Sequence, residues 1–187
     1  MILMKRTILY FILRFAGVPR WIARLILLAT MLAGFGVGSV WAQSIEGRVV
    51  RVADGDTITV LDAGNRQHRI RLKGIDAPES KQAFGNVSRQ TLADMVAGRQ
   101  VRVRADATDR YGRVLGVIFV DGRDANLEMV RAGMAWHYTQ YQRDQSAQER
   151  SAYAAAEAEA RATRRGLWRD ANPVPPWDFR RNARNEQ

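Results

Sequence analysis

Apolar and polar residues alternate over several short stretches between residues 46 and 120, which is the period of two typical of β-strands. The stretches are VVRV at 49–52, TITVL at 57–61, HRIRLK at 68–73, QVRVRA at 100–105 and RVLGVIFV at 113–120. Turn signals separate them, and the first is Asp54-Gly55. The pattern predicts five strands, with Ile70 and Leu72 facing the core and Arg71 pointing away from it.

Three other stretches indicate helices. SRQTLADMVAG at 88–98 has Ser88 as a candidate N-cap and Gly98 as a stop. DANLEMVRAG at 124–133 begins at a capping Asp124 and ends at a glycine, and residues 146–166 are rich in Ala and Glu and end in two arginines and a glycine. The order of elements suits a β-rich α+β protein, a five-stranded OB-fold Greek-key barrel with about three helices.

The first 42 residues differ in kind from the rest. They carry five basic residues, no acidic residue and the apolar run at 25–40, which ends in Val40-Trp41-Ala42. This pattern predicts a secretory signal cut after Ala42 and therefore an exported protein, periplasmic or extracellular. An uncleaved membrane anchor is the alternative, since the leader is long and its second apolar block approaches the length of a spanning helix.

The remaining length suits one domain, predicted at 43–170, followed by an irregular, proline-rich tail at 171–187. Without the leader the chain holds 24 basic and 19 acidic residues, a net charge of +5. A basic domain suits a polyanionic ligand, although such a charge also serves solubility. The chain has no cysteine, which excludes disulfides and thiolate chemistry.

Three carboxylates follow predicted strands or turns, namely Asp56, Asp76 and Glu79. A barrel could bring the two aspartates together beside the glutamate. Carboxylates so placed repel each other unless a cation sits among them, and oxygen ligands favour Ca²⁺ or Mg²⁺. Each motif alone is also ordinary turn chemistry, so the carboxylates by themselves do not decide the function.

Two arginines change that balance. Arg71 and Arg113 carry planar guanidinium groups, which suit the extra negative charge of a phosphodiester under attack by water. Glu79 is the candidate for orienting or deprotonating that water, because its longer side chain can reach past Asp76. Tyr111 is either a packed turn residue or a platform on which a base or sugar stacks.

Three motifs occur in an order that matches a known family. DGDT at 54–57, RLKGIDAPE at 71–79 and DRYGR at 109–113, followed by Asn126 and AGMAW at 132–136, resemble the thermonuclease family, the micrococcal-nuclease-like OB-fold nucleases. The resemblance covers about residues 46–168. It implies a Ca²⁺-dependent phosphodiesterase that acts on DNA and RNA and leaves 3′-phosphate ends.

The resemblance also implies roles for single residues. The implied metal ligands are Asp56, Asp76 and the carbonyl of Ala77, with Asp54 supporting them from behind. The implied phosphate-binding arginines are Arg71 and Arg113, and the implied catalytic carboxylate is Glu79. The implied substrate contacts are Arg110, Tyr111 and Tyr141.

Some positions depart from the family pattern. Ala77 replaces a common threonine, which removes a hydroxyl and keeps the carbonyl, and Arg110 stands where a lysine is usual. Tyr138 and Tyr141 both lie near the expected base-stacking position, and Tyr141 fits it better. The rival to an enzyme is a non-catalytic OB-fold module that binds nucleic acid or an acidic partner. In either case the sequence predicts a monomer with no obligatory protein partner and with membrane contact only through an uncleaved leader.

Overall fold

A computed structural model describes residues 43–185 of the chain. The predicted leader and its cleavage point lie outside these residues. Within them, no helix has the length and apolar character needed to cross a membrane. The strands are β1 (Gln43–Val52), β2 (Thr57–Asp62), β3 (Gln67–Leu72), β4 (Ile75–Asp76), β5 (Gln100–Thr108), β6 (Val114–Val120), β7 (Arg123–Asp124) and β8 (Trp136–His137).

Five of these strands close into a barrel. The long strand β1 pairs antiparallel with both β2 and β5, β2 pairs with β3, and β5 pairs with β6. A parallel pairing of β3 with β6, in which Arg71 lies opposite Leu115, closes the ring. The predicted five-stranded OB-fold barrel is therefore confirmed, and no sheet edge remains between β3 and β6.

The barrel interior is filled by the residues whose alternation predicted it. Ile70 and Leu72 are buried on one face of β3, and Val101 and Val103 are buried on β5. They belong to one continuous apolar cluster that also includes residues from the first two strands and three helices. The period-two pattern identified the inward face of β3 and β5 correctly because the opposite face of these two strands is less buried.

Four α-helices accompany the barrel in the described residues. They are α1 (Gly85–Val96), α2 (Ala125–Arg131), α3 (Ala147–Ala162) and α4 (Pro176–Asn185), with 3₁₀ turns at Thr139–Asp144 and Gly166–Arg169. The N-cap predicted for the second helix is confirmed, whereas the third helix ends at Ala162, before the predicted stop at Gly166. Asp124 accepts a hydrogen bond from the Leu127 amide, and Ser146 forms a capping box with Glu149.

The start of α1 was predicted wrongly. The helix begins at Gly85 after Phe84, which has a left-handed φ of 65°, and Ser88 is an interior helical residue rather than the N-cap. Its hydroxyl is buried and donates to the carbonyl of Met134 at 2.7 Å. The sequence alone does not distinguish a serine that caps a helix from one that bonds the helix to a distant loop. Only the tertiary contact shows which role the serine has.

The tail was also predicted wrongly, because Pro176–Asn185 is helical rather than irregular. This helix starts with a proline, has Asp178 in its first turn and has Arg184 in its last. Those three features favour a helix. The two preceding prolines instead suggested an irregular segment, which is why the helix was not predicted. Trp177 packs on a second apolar cluster formed by Trp136, Ala160, Leu167 and Trp168.

Asn126, a residue of the quoted motifs, is a buried structural link. Its side-chain oxygen accepts from the Ile118 amide at 3.1 Å, and its amide group donates to the carbonyls of Lys73 and Gly116 at 3.0 and 3.1 Å. The side chain is fully satisfied, so its burial carries little penalty. It fastens the end of β3, which leads to Asp76, to the neighbouring strand β6.

Candidate active site

The turn between β1 and β2 places Asp56. The amide of Asp56 donates to the Asp54 carboxylate at 3.0 Å, and the amide of Ala53 donates to the carbonyl of Thr57 at 2.9 Å. Asp54 therefore orders the turn, while the buried side chain of Asp56 points to the amide of Ala77, which donates to it at 2.8 Å. This hydrogen bond joins two segments that are far apart in the sequence.

Gly55 is required in this turn by close packing. A Cβ atom at this position would lie 1.9 Å from the hydroxyl oxygen of Ser88 and 2.7 Å from the Cβ of Ala77. Both distances are well inside van der Waals contact, and the serine is itself fixed to Met134. The glycine of the DGDT motif thus allows the turn to approach α1 and the Asp76–Ala77 segment.

We expect Gly55→Ala to lower the free energy of unfolding by about 1–3 kcal/mol, because the added methyl overpacks a fixed site. Denaturant unfolding measures the change. Gly64→Ala is the matched control, since its nearest neighbour would be a side-chain oxygen of Asp62 at 3.2 Å in an exposed turn. Equal stability losses in the two variants would contradict the packing argument.

Arg71 joins the two candidate metal-binding aspartates. Its guanidinium lies 2.7 Å from Asp56 Oδ2 and 2.7 Å from Asp76 Oδ1, and it also donates to the carbonyl of Ile75 at 3.2 Å. The Arg71 side chain is 14% exposed and that of Asp76 is 0% exposed. Arg71 does lie on the face of β3 opposite the core, as predicted, but it is enclosed by carboxylates rather than solvated.

Asp76 is held by a short two-stranded sheet. In it, β4 pairs antiparallel with β8, so that Asp76 lies opposite Trp136 and Ile75 opposite His137. The amide of Tyr138 donates to the carbonyl of Gly74 at 2.9 Å, which extends this pairing. The AGMAW segment thus serves to fix the candidate metal ligand from outside the barrel.

The electrostatics of this pocket favour an additional positive charge. Burial raises the pKa of Asp56 to about 7; the Arg71 guanidinium lowers it, while the carboxylates of Asp54 and Asp76 raise it. Arg71 therefore does not fully offset the burial of Asp56 and the negative charge of its two neighbouring carboxylates. A divalent cation would supply the missing charge.

The donor set fits a hard divalent cation that keeps several water ligands. Asp56 and Asp76 share one guanidinium, so their oxygens lie close together, and oxygen donors suit Ca²⁺ or Mg²⁺. Among residues 43–185 no three His, Cys, Asp or Glu side chains are arranged as a metal-binding group. The resemblance implies that Asp56, Asp76 and the Ala77 carbonyl would hold the ion.

Glu79 lies at the rim of the same pocket. It follows Pro78, its amide donates to the side chain of Gln82 at 3.1 Å, and its side chain is 39% exposed. One carboxylate oxygen accepts a hydrogen bond at 2.7 Å from Arg180, which also contacts Asp76. Glu79 is therefore within reach of solvent and is linked to Asp76 through an arginine.

Arg113 lies in a separate turn, whose described contacts do not reach the carboxylates. The side chain and amide of Arg113 both donate to the Asp109 carboxylate, at 2.8 and 2.9 Å. Burial raises the pKa of Asp109, but the hydrogen bonds from Arg113 and Tyr111 outweigh it and the pKa is lowered. The turn leads directly into β6 beside β3, so it lies on the strand next to the one that carries Arg71.

Arg110 and Tyr111 stand at the exposed tip of that turn. Arg110 donates to the Tyr111 hydroxyl at 2.8 Å, and its guanidinium lies 4.9 Å from the centre of the Tyr111 ring. The guanidinium of Arg113 lies 5.5 Å from the same ring. Arg110, Tyr111 and Arg113 thus form one cationic and aromatic surface in this turn.

Tyr138 and Tyr141 form one aromatic pair, with ring centres 5.5 Å apart. Tyr141 is exposed, whereas Tyr138 is half-buried. Burial raises the pKa of Tyr138, and so does the negative charge of Asp76. Tyr138 is therefore the tyrosine near the carboxylates. Tyr141 is the tyrosine whose ring is accessible for stacking on a nucleobase.

Arg180 was not among the residues predicted for this site. It lies on α4, in the segment predicted to be irregular, and it contacts Asp76 and Glu79 from more than 100 positions further along the chain. The arginine-rich composition of the tail is visible in the sequence, but nothing in it indicates which carboxylate a tail arginine meets.

Comparisons with known proteins agree with this architecture. A family model described as "Staphylococcal nuclease homologue" matches residues 69–170. An "Uncharacterized endonuclease" of Haemophilus influenzae is 43% identical over 164 residues, which are 87% of this chain and 89% of the relative. A "Micrococcal nuclease" of Shigella flexneri is 45% identical over 155 residues, which are 78% of this chain and 85% of the relative.

The closed barrel and these relatives define a hydrolase of the nuclease class. The chain belongs to the staphylococcal nuclease homologue family, and the resemblance drawn from its motifs is confirmed. The matched segment includes Arg71, Asp76, Glu79 and Arg113. Asp56 precedes it, and α4 follows it.

Proposed function

We propose that this protein is a Ca²⁺-dependent phosphodiesterase that hydrolyses DNA and RNA to products with 3′-phosphate ends. The observation that carries the proposal is the guanidinium of Arg71 between two buried carboxylates, Asp56 and Asp76, both at 2.7 Å. Buried carboxylates that lie close to one another are costly to maintain, which is typical of a functional site. Membership of a nuclease family supports a phosphodiester as the substrate.

Each side chain has a distinct part in this proposal. Asp56, Asp76 and the Ala77 carbonyl would hold Ca²⁺, which would supply positive charge to a phosphate oxygen. Arg71 and Arg113 bind the equatorial oxygens of the phosphate, where negative charge increases during attack. Glu79 orients the attacking water and accepts its proton, for which its partly exposed position at the rim is suitable.

Broad specificity follows from the kinds of contact available. Arginines contact phosphates, which carry no sequence information. Tyr111 and Tyr141 are both exposed and can stack on any base. The proposed substrates are therefore single-stranded and double-stranded DNA and RNA, bound by a monomer without an obligatory protein partner and with affinity that falls as salt rises.

The proposed location is outside the cytoplasm, periplasmic or extracellular after removal of residues 1–42, with anchorage to the membrane by an uncleaved leader as the alternative. The small-residue pattern at Val40-Trp41-Ala42 supports cleavage. Mass spectrometry of the protein isolated from soluble and membrane fractions of its host tests this. An N-terminus at Gln43 supports cleavage, and an intact leader in the membrane fraction contradicts it.

Digestion of single-stranded DNA with Ca²⁺, with Mg²⁺ and with a chelator tests the function. We expect fragments only with Ca²⁺, and we expect their 3′ ends to resist extension by a terminal transferase until a phosphatase has removed the phosphate. Intact strands that are retained in the presence of chelator would instead support the non-catalytic binding module. Cleavage that continues with chelator would contradict the metal dependence.

A further inference from the structure

The last helix of the described chain, α4, brings a cation to the candidate metal site. Arg180 Nη2 lies 2.7 Å from Asp76 Oδ2, and Arg180 Nη1 lies 2.7 Å from Glu79 Oε1 and 3.2 Å from Asp76 Oδ1. Three charge-assisted hydrogen bonds therefore connect one guanidinium to two carboxylates. One of these, Asp76, has no exposure to solvent.

Packing holds α4 in place independently of this ion pair. Trp177 contacts Trp136 edge-on with ring centres 5.6 Å apart, and it lies against Tyr138 with centres 5.4 Å apart. Just before the helix, the carbonyl of Val174 accepts a hydrogen bond from the side chain of Gln82. The position of Arg180 is thus set by an aromatic anchor and a backbone contact as well as by charge.

The arginines leave little room at Asp76 for a metal ion. Arg71 occupies Oδ1 at 2.7 Å, and Arg180 occupies Oδ2 at 2.7 Å and approaches Oδ1 at 3.2 Å. A divalent cation bound to Asp76 would need one of these lone pairs, and it would repel a guanidinium a few ångströms away. The Arg71 side chain is 14% exposed and lies between two buried carboxylates, whereas that of Arg180 is 40% exposed, so Arg180 is the arginine that the ion would displace.

The same helix packs on Tyr138, the tyrosine next to the candidate base-stacking residue Tyr141. Trp177 lies on Tyr138, whose ring is 5.5 Å from that of Tyr141. Besides Arg180, the helix carries Arg181 and Arg184 against the single acidic Asp178. A released α4 would therefore be a cationic segment next to a polyanionic substrate, and this attraction favours the released state when nucleic acid is present.

We propose that α4 is an intramolecular cover of the active site, in which Arg180 competes with the divalent cation for Asp76 and Glu79. This inference rests on the proposed metal dependence and adds a regulatory element to it. The cation binds only when Arg180 has left, so its apparent affinity is reduced by the fraction of molecules in the covered state. If nine molecules in ten are covered, the apparent affinity is about tenfold weaker than that of the uncovered site.

Calcium binding to the full-length protein without nucleic acid tests the cover. We expect Arg180→Ala to bind Ca²⁺ about tenfold more tightly than the unmodified protein in isothermal titration calorimetry. Arg181→Ala is the matched control: it lies on the same helix, is 63% exposed and pairs with Asp178 at 2.9 Å. Its affinity should not change. Equal or weaker Ca²⁺ binding by Arg180→Ala would overturn the competition.

Hydrogen exchange distinguishes displacement of the helix from a general effect of the removed charge on Ca²⁺ affinity. Addition of Ca²⁺ should increase exchange of the backbone amides in α4 of the unmodified protein, since the helix loses its ion pairs. Trp177→Ala, which weakens the anchor without changing a charge, should also bind Ca²⁺ more tightly. Unchanged protection of α4 at saturating Ca²⁺ would overturn the cover even if Arg180→Ala behaved as expected.

The failure of this inference can be told apart from failure of the proposed function. Equal Ca²⁺ affinity in all variants, together with Ca²⁺-dependent cleavage, would remove the cover and leave the nuclease intact. No Ca²⁺ binding in any variant, together with cleavage in the presence of chelator, would remove the metal dependence and the competition with it.

Discussion

An Arg71→Lys variant is expected to cleave DNA about 10²–10³-fold more slowly than the unmodified protein, because an important donor to the transition-state charge is lost. Lysine keeps the charge but offers a single ammonium group, which cannot span Asp56 and Asp76 in the planar geometry of the guanidinium. We also expect the free energy of unfolding to fall by about 1–3 kcal/mol, since buried carboxylates lose charged hydrogen bonds.

Steady-state cleavage assays and denaturant unfolding measure the two effects on the same preparations. Arg69→Lys is the matched control, because this arginine lies two residues away on the same face of β3 and is exposed. Its activity and stability should stay within experimental error of the unmodified protein. A cleavage rate within about threefold of normal in Arg71→Lys would contradict the role of this arginine, since a lost transition-state donor costs much more.

The barrel could be predicted from the sequence because the patterns that indicate its strands lie within short segments of the chain. Alternation in β3 defined the buried Ile70 and Leu72 and the outward Arg71, and the turn residues marked the strand ends. Asp56 and Asp76 could be grouped because each stands where a strand meets a turn, and a barrel can bring such turns together. Their meeting at Arg71 is a consequence of the fold that the pattern predicted.

The parts that were missed depend on contacts between distant residues. Ser88 has the sequence context of an N-cap, and only its hydrogen bond to Met134 shows that it lies inside the helix. The tail has the composition of an irregular segment, yet Trp177 finds an aromatic partner in Trp136 and Arg180 finds Asp76. No local pattern encodes a partner about 40 or 100 residues away.

Glu79→Gln is expected to reduce the rate of cleavage by about 10²–10⁴-fold, because the amide cannot accept a proton from water. The fold should be unaffected, since Glu79 is 39% exposed and its carboxylate contacts Arg180 at the surface of the pocket. Glu128→Gln is the matched control: its side chain is 36% exposed and pairs with Arg131 at 2.6 Å. The control should retain full activity in the same assay.

The contact between Glu79 and Arg180 allows a second explanation, in which the glutamate acts only by positioning the arginine. A double variant decides between the two. If Glu79 handles the water, Glu79→Gln should cause the same loss of rate in an Arg180→Ala background as in the unmodified protein. If Glu79 matters only through Arg180, the loss should disappear when Arg180 is absent, because the two substitutions then remove one interaction. An equal loss in both backgrounds therefore assigns the chemical step to Glu79. The role of Arg180 is then limited to its competition with the cation.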